Sequence, residues 1–483
     1  MRPPTVRTAA VVSLMLFLFA GCDTQPATEA PPNLLFIITD DQRFDMMGNM
    51  NPALHTPSMD WLAENGVRFE NAFVTTPICA ASRASLLTGV VERTHRFTFI
   101  TPALAEEFTE ASYPAVLRKA GYRTSHIGKF GVKVTEGAID TMFTVFKELN
   151  RNPYFKPQED GTERHLTDIT ADHAIDFLEE SAGSSSPGEA QPFALTLSFN
   201  APHAEDSDER QYIWPAAMDT FYQSLDIPDP PLAAPAFHEA LPEFLRNPEI
   251  NMNRYRWFWR FDTPEKAKEM TKGYYRMISG VDAALERVFD RLDALGLAEN
   301  TVIVLMGDNG YYLGERGYAG KWLSHEPSIR VPLLVYDPRH PEYAGKRPTA
   351  MSLNIDVAPT LLDLAGLEVP ASMQGESLMP VIQNGPDATW RNDFFIEHLM
   401  DHKQIVKHEG VRGVQYKYAR YFELEPVYEE LYDFVNDPFE QENLAGNAAF
   451  SEVLDQMRER TDALRDTYGG PYQPHTEAPA MLP

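Results

Sequence analysis

The 483-residue chain reads as an α/β protein, a large, mostly parallel sheet sandwiched by helices, with a smaller C-terminal α+β subdomain. Three observations predict this. Apolar runs alternate with helical patterns from Asn33 onward. Several runs are apolar throughout, which marks strands buried on both faces rather than one. Polar and acidic residues cluster directly after those runs, where open α/β sheets bind their ligands.

The elements follow in order. NLLFIITDD (33–41) is a buried strand ending in two acids. HTPSMDWLAENG (55–66) is a helix with Pro near its start and Gly at its end. FENAFVTT (69–76) is strand-like, and SYPAVLRKAGYRTSHIGKF (112–130) is a helix, a glycine stop and a strand. LTDITADHAIDFLEESAG (166–183) has helical spacing, and GSSSPGEAQP (183–192) is a surface linker. PFALTLSFNAPH (192–203) is a strand ending in polar residues. Residues 205–262, rich in Pro and aromatics, read as an irregular insertion. TKGYYRMISGVDAALERVFDRLDALG (271–296) is a long amphipathic helix, and NTVIVLMGDNG (300–310) is another buried strand with acids at its end. VPLLVYDP (331–338) and NIDVAPTLLDLAG (354–366) are strand and helix. Beyond about residue 385 the pattern changes. HEGVRGVQYKYARYFEL (408–424) alternates like an antiparallel pair, and a last helix is expected around Ser451–Arg465.

The N-terminus is a targeting segment. Two arginines precede the apolar stretch AAVVSLMLFLFA, which is shorter than the roughly 20 residues a spanning helix needs. The junction FAGC resembles a bacterial lipoprotein cleavage box. We therefore expect a signal peptide over 1–21, a lipid on Cys22 that holds the chain to a membrane, and a Pro-rich tether over 22–32. The main domain then spans 33–385 and the C-terminal subdomain 386–483. This places the protein in the cell envelope, in the periplasm or at the cell surface. The formal net charge is −28, and −30 after loss of residues 1–21, which argues against nucleic acid as a partner. With Cys22 lipidated, the other cysteine, Cys79, has no disulfide partner.

Asp40, Asp41, Asp308 and Asn309 supply hard oxygen ligands from two distant strands, a set suited to Ca²⁺ or Mg²⁺. Helix capping explains one acid at each strand end but not doubled polar residues at both. Around Cys79, TTPICAASRASLLTG (75–89) resembles the signature of type I, formylglycine-dependent sulfatases of the alkaline-phosphatase-like superfamily, C-x-P-S-R followed by T-G. HTPSMDWLAENGVRFENAFV, GYRTSHIGKF, SFNAPH, GDNG with EPSIRVPLLV, and ELYDFVNDPFEQENLA follow in the family's order, so the resemblance covers about residues 33–446.

The resemblance implies that a maturation enzyme oxidises Cys79 to Cα-formylglycine. One hydroxyl of its hydrate attacks sulfur, and the other lets sulfate leave as the aldehyde re-forms. It implies that Asp40, Asp41, Cys79 (as formylglycine), Asp308 and Asn309 hold a metal, Ca²⁺ by family analogy with Mg²⁺ as the alternative. Arg83 would hold the hydrate, Lys129 and Lys321 would neutralise the sulfate and leaving group, and His203 would give a proton to the leaving alcohol. The implied reaction is sulfuric ester hydrolysis on a sulfated oligo- or polysaccharide. GDNGYYLGERGYAGKW (307–322) is similar to the corresponding segment of hexosamine 6-sulfatases. The alternatives are a phosphodiester or phosphonate ester hydrolase of the same superfamily, and a non-catalytic sulfoglycan-binding lipoprotein.

Two positions depart from the family pattern. Ala81 stands where Pro is usual, a residue that radical-type maturation enzymes accept. Gly131 stands where the family has a His in G-K-x-H, leaving His95, His126 or water to take its role. NRYRWFWRFD (253–262) reads either as a sugar- and anion-binding stretch or as a helix that buries its aromatics. His325 reads either as a lining of the substrate mouth or as a surface histidine.

Overall fold

The computed structural model describes residues 30–99, 101–183, 191–384 and 390–474. The signal peptide and Cys22, most of the linker at 183–192, and the expected subdomain boundary at 385/386 fall outside the described residues. The described residues from Pro32 onward form one compact unit. Among the described residues no helix is long and apolar enough to cross a membrane.

The central sheet has seven strands in the order Val67–Arg68, Leu333–Tyr336, Thr301–Gly307, Asn33–Thr39, Phe193–Ser198, Arg123–Gly128, Val145–Glu148. The five from Thr301–Gly307 to Val145–Glu148 pair in parallel. Leu333–Tyr336 runs antiparallel to both its neighbours, and the short Val67–Arg68 closes that edge. The strand expected in FENAFVTT is reduced to Asn71–Phe73, which pairs with Met351–Leu353 outside the main sheet.

The uniformly apolar runs are explained by two cores. Along Asn33–Thr39, Leu34, Phe36 and Ile38 enter one and Leu35 and Ile37 the other. Thr301–Gly307 divides in the same way, with Val302, Val304 and Met306 opposite Ile303 and Leu305. Period-2 alternation is therefore present, but both faces are apolar. The helix Cys79–Thr88 packs Ala80, Ala84, Leu86 and Leu87 on the first face. Helices Pro57–Asn65, Leu166–Gly183 and Pro264–Ala294 cover the second. The last begins seven residues before the long helix read from the sequence.

Four antiparallel strands, Asp393–His398, His408–Gly413, Tyr416–Tyr421 and Tyr428–Asp433, form a second sheet. Helix Ser451–Thr467 packs on it through Leu454 and Leu464 against Phe395, Val411, Tyr418 and Leu431. The insertion is irregular as expected, with short helices at Pro235–Glu239, Glu243–Arg246 and Met252–Arg260.

Candidate active site

Four adjacent parallel strands end at one place. Thr39 pairs with Gly307, so Asp40-Asp41 and Asp308-Asn309 emerge side by side. The Asp41 N–H donates to Asp308 Oδ1 at 3.1 Å. On the other side, the end of Phe193–Ser198 leads to His203, and the end of Arg123–Gly128 leads to Lys129, whose N–H donates to the Ser198 carbonyl at 2.9 Å. Asp41 adopts a left-handed backbone, φ 67°, a conformation that costs of order 1 kcal/mol or more for a non-glycine residue. The Tyr274 hydroxyl holds it there by donating to the Asp41 carbonyl at 2.6 Å.

Each acid has its own cation. Lys129 Nζ donates to Asp40 Oδ2, Lys321 Nζ to Asp41 Oδ1, and Arg83 Nε to Asp308 Oδ2 at 2.7 Å. Burial opposes the charged form of Asp40, but Lys129, His203, Lys321 and Arg83 outweigh it and hold the carboxyl well below its usual range. Asp41 is likewise lowered, with burial overcome by Lys321 and His203. Burial and the nearby Asp40 push Asp308 up to about 6 against Arg83. Burial pulls Lys321 down, but Asp41 pulls it further up, so its ammonium stays charged.

Among the described residues, three buried oxygens in this cluster have no hydrogen-bond donor: Asp40 Oδ1, Asp41 Oδ2 and Asn309 Oδ1. The Asn309 amide is turned so that Nδ2 donates to Asp41 Oδ1 at 2.7 Å and to the Gly310 carbonyl at 2.8 Å, leaving its oxygen free. Unsatisfied buried acceptors on charged groups are costly unless something positive meets them. Oxygen donors of this kind suit a hard divalent cation. Asp40, Asp41 and His203 each offer a ligand atom within 4.8 Å of the others. His203 thus borders the set read from sequence, and both oxygens of Asp308 accept hydrogen bonds, from the Asp41 N–H and from Arg83.

His203 Nδ1 lies 2.7 Å from the Ala204 carbonyl, which only accepts, so the proton of the neutral ring is on Nδ1. Its Nε2 then carries a lone pair, 3.6 Å from Asp41 Oδ2. Burial, with Arg151 next, holds this imidazole down at about 3.

Cys79 is the first residue of its helix and is 6% exposed. It packs with Ile78, Ala81, Trp322, Met400 and Ile405, so the segment after Asp393–His398 helps roof it. Arg83 is four residues on, which places it on the same helix face. Its Nη1 donates to the Lys129 carbonyl at 2.7 Å and to Ser198 Oγ at 2.6 Å, and its buried Nη2 has no partner among the described residues. Asn354 clamps the signature by accepting from the Thr75 N–H and donating to Ser82 Oγ.

The structure brings Asp40, Asp41, Cys79, Arg83, Lys129, His203, Asp308, Asn309 and Lys321 close together. His325 is not at a surface or a mouth. It is fully buried, with Nδ1 2.7 Å from the Tyr312 hydroxyl. His95 turns Nε2 to Ser85 Oγ, and His126 turns Nε2 to the Lys129 carbonyl among Phe130, Phe143 and Phe146. Gly131 has φ 70°, and a Cβ there would meet Arg83 Cδ at 3.3 Å, so this position abuts the site. Sequence reasoning missed Arg151, whose Nε donates to the same Ala204 carbonyl that His203 uses. It stands in an irregular segment with no motif around it.

A parallel sheet carrying buried carboxylates and cations at its carboxyl end, beside a helix N-terminus, is suited to hold a hard cation and an anionic group. The family model described as Sulfatase matches residues 32–367, and one described as N-sulphoglucosamine sulphohydrolase, C-terminal, matches residues 314–467. The chain belongs to the sulfatase family and is a sulfatase. It is 27% identical to the N-acetylglucosamine-6-O-sulfatase of Bacteroides thetaiotaomicron over 519 residues, covering 95% of this chain and 90% of that one. A solved structure in complex with its substrate D-glucosamine-2-N,6-O-disulfate matches with TM-score 0.73 and 23% identity, covering 91% of this chain and 98% of that one. The phosphonate monoester hydrolase of Agrobacterium radiobacter matches with TM-score 0.73 and 23% identity, covering 90% and 96%. At these identities the two structures establish the fold alone.

Proposed function

We propose that the chain removes sulfate from a sulfated carbohydrate, using residue 79 as formylglycine and a divalent cation held by Asp40, Asp41, Asp308, Asn309 and residue 79. The observation that carries this is the set of three donor-less buried oxygens, on Asp40, Asp41 and Asn309, in the same cluster as Arg83, which lies one helical turn from Cys79. The substrate class is supported by the name of the B. thetaiotaomicron relative.

A formylglycine hydrate supplies a hydroxyl nucleophile and a second hydroxyl through which sulfate is released. A hard divalent cation supplies charge to sulfate oxygens and acidifies a bound hydroxyl. The chain's own residues do the rest. Arg83 is fixed by Asp308, the Lys129 carbonyl and Ser198, which leaves Nη2 as a donor on the helix face of residue 79. Lys129 and Lys321 each spend one N–H on a carboxylate and keep two for sulfate oxygens and the leaving group. His203 reaches the leaving alcohol only through Nε2. Because the Ala204 carbonyl keeps the first proton on Nδ1, any proton His203 gives is a second one.

Ala81 is the third residue of its helix, where the N–H has no intrahelical acceptor, so proline there would remove no helix bond. Its identity bears on recognition by the maturation enzyme instead of on the fold. We place the enzyme in the cell envelope through a lipid on Cys22. Fractionation tests this, since Cys22→Ala then moves the protein from membrane to soluble fractions, and a protein already soluble contradicts it.

The functional test is sulfate release from N-acetylglucosamine 6-O-sulfate by protein purified from its own host, with a phosphonate monoester and a phosphodiester in parallel. Sulfate release that disappears in Cys79→Ala supports the proposal. Release that survives in Cys79→Ala, or preference for the phosphorus esters, contradicts it.

A further inference from the structure

The stretch NRYRWFWRFD contributes nothing to the site as described, yet it lies against it. In helix Met252–Arg260, Arg256 and Arg260 both donate to Asp206, Arg256 at 2.8 Å. Arg151 comes to the same carboxylate from the other side, with Nη2 3.8 Å from Asp206 Oδ2. Three guanidiniums therefore converge on one acid in a chain of net charge −28. Within the site itself, Asp40, Asp41 and Asp308 already match Lys129, Lys321 and Arg83 one for one. The excess of two positive charges around Asp206 is unused.

The three arginines differ. Arg260 is fully buried and also donates to the Tyr311 hydroxyl, so it alone suffices to pin the helix to Asp206. The side chains of Arg151 and Arg256 are 23% and 16% exposed, open to a ligand at the rim. Both touch the walls of the reactive centre. The Arg256 guanidinium lies 5.1 Å from the Trp322 ring centroid, and Trp322 packs in the same cluster as Cys79. Arg151 shares the Ala204 carbonyl with His203. Among the described residues the two terminal nitrogens of Arg151 make no hydrogen bond, and the buried Nε of Arg256 has no acceptor. Guanidinium forks match the paired oxygens of carboxylates and sulfates.

We propose that Arg151 and Arg256, tethered by Asp206 at the mouth of the site, form a subsite for a second anionic group on the sugar, a carboxylate or another sulfate, beside the ester that is cleaved. This rests on the reading that the chain cleaves sulfate esters of carbohydrates. The acid at 206 keeps the two guanidiniums from repelling each other and aims them at one place. Half-buried among these guanidiniums, it is held far below its usual range by Arg256 and Arg260 against the cost of burial.

The test uses the full chain carrying Cys79→Ala, which binds without turnover, and three probes with the same scissile ester. These are N-acetylglucosamine 6-O-sulfate, D-glucosamine 2-N,6-O-disulfate, and a uronate-linked N-acetylglucosamine 6-O-sulfate. At least one doubly charged probe binds tenfold or more tighter than the singly charged one, a factor of about ten being what one charge-assisted hydrogen-bonding contact gives. Which probe gains identifies sulfate or carboxylate as the preferred group. Arg151→Gln and Arg256→Gln each bring that ratio toward unity, a readout that loss of packing alone does not produce. Equal affinity for singly and doubly charged probes overturns the subsite, and so does a preference that both variants keep. The parent protein supplies the ratio even if a variant fails to fold. Turnover of the same probes by the unaltered protein is read separately. Preferential binding without sulfate release from any probe leaves the subsite standing and removes the proposed reaction. Release without preference removes the subsite alone.

Discussion

Replacing Lys321 by Met removes one charge from the centre and little volume. Lys321 is 2% exposed and its ammonium sits on Asp41 Oδ1. Asp41 is 1% exposed, and without Lys321 its remaining side-chain donor is Asn309 Nδ2 at 2.7 Å. Breaking a buried pair by deleting one partner costs about 3–5 kcal/mol, because the other charge is left without compensation. That is a large part of the roughly 5–15 kcal/mol by which domains are stable. If a divalent cation sits on Asp41, it relieves part of this loss. Calcium then raises the stability of Lys321→Met more than that of the unaltered chain. Turnover falls by a factor of about 10²–10³ even where the variant is folded, since a fixed donor to developing charge is gone. The assay is urea denaturation of both proteins in calcium and in chelator, with sulfate release measured under the same conditions. A variant within about 1 kcal/mol of the parent in chelator, the range of an ordinary substitution, and turning over normally would refute the reasoning.

Two other outcomes are expected. Calcium at a hundred times its dissociation constant stabilises the unaltered chain by about 2.7 kcal/mol, and Asn309→Leu, which deletes one of the donor-less oxygens, reduces that gain; thermal melts in calcium and chelator that coincide for the parent contradict the site. His408 is buried, and burial and Lys417 hold it down at about 4 from 6.5 against the Val406 carbonyl. Below pH 6.5 the unfolded chain takes up this proton and the folded chain does not, so stability falls as pH drops from 6.5 to about 4 and levels off below. At about 1.4 kcal/mol per pH unit the loss reaches about 3 kcal/mol, and His408→Phe flattens the stability profile over that window by this amount; parallel profiles for the two proteins would contradict it.

The sequence made the site legible where chemistry coincides with the ends of strands. Asp40-Asp41 and Asp308-Asn309 stand beside each other because Thr39 and Gly307 are in register, and the doubled polar residues after two apolar runs signalled this. The spacing of Cys79 and Arg83 carried through as one helical turn. Other features depend on tertiary contacts that no local pattern encodes. Leu333–Tyr336 is as apolar as Thr301–Gly307 beside it, yet runs against it. His325 stands four residues beyond Lys321 in the chain but turns into a tyrosine cluster. Arg151 precedes the insertion, while Asp206 and Arg256 stand far apart within it, and only folding makes them a group. In NRYRWFWRFD the aromatics are not all turned inward: Tyr255 and Phe258 are 43% and 44% exposed. Arg260 is buried and structural, while Arg254 stacks over Trp257 at 3.9 Å and Arg256 over Trp322, toward the site.

The central claim is that residue 79 works as an aldehyde and not as a thiol. Trypsin cuts after Arg68 and Arg83 and releases residue 79 within the peptide Phe69–Arg83. Mass spectrometry of that peptide, from protein made in its own host, tests the claim most directly. Formylglycine makes the peptide lighter by one sulfur and two hydrogens and heavier by one oxygen, and the account predicts that this species is present and that its share tracks sulfate-releasing activity. A peptide that carries only the unmodified cysteine, in protein that still releases sulfate, would contradict it.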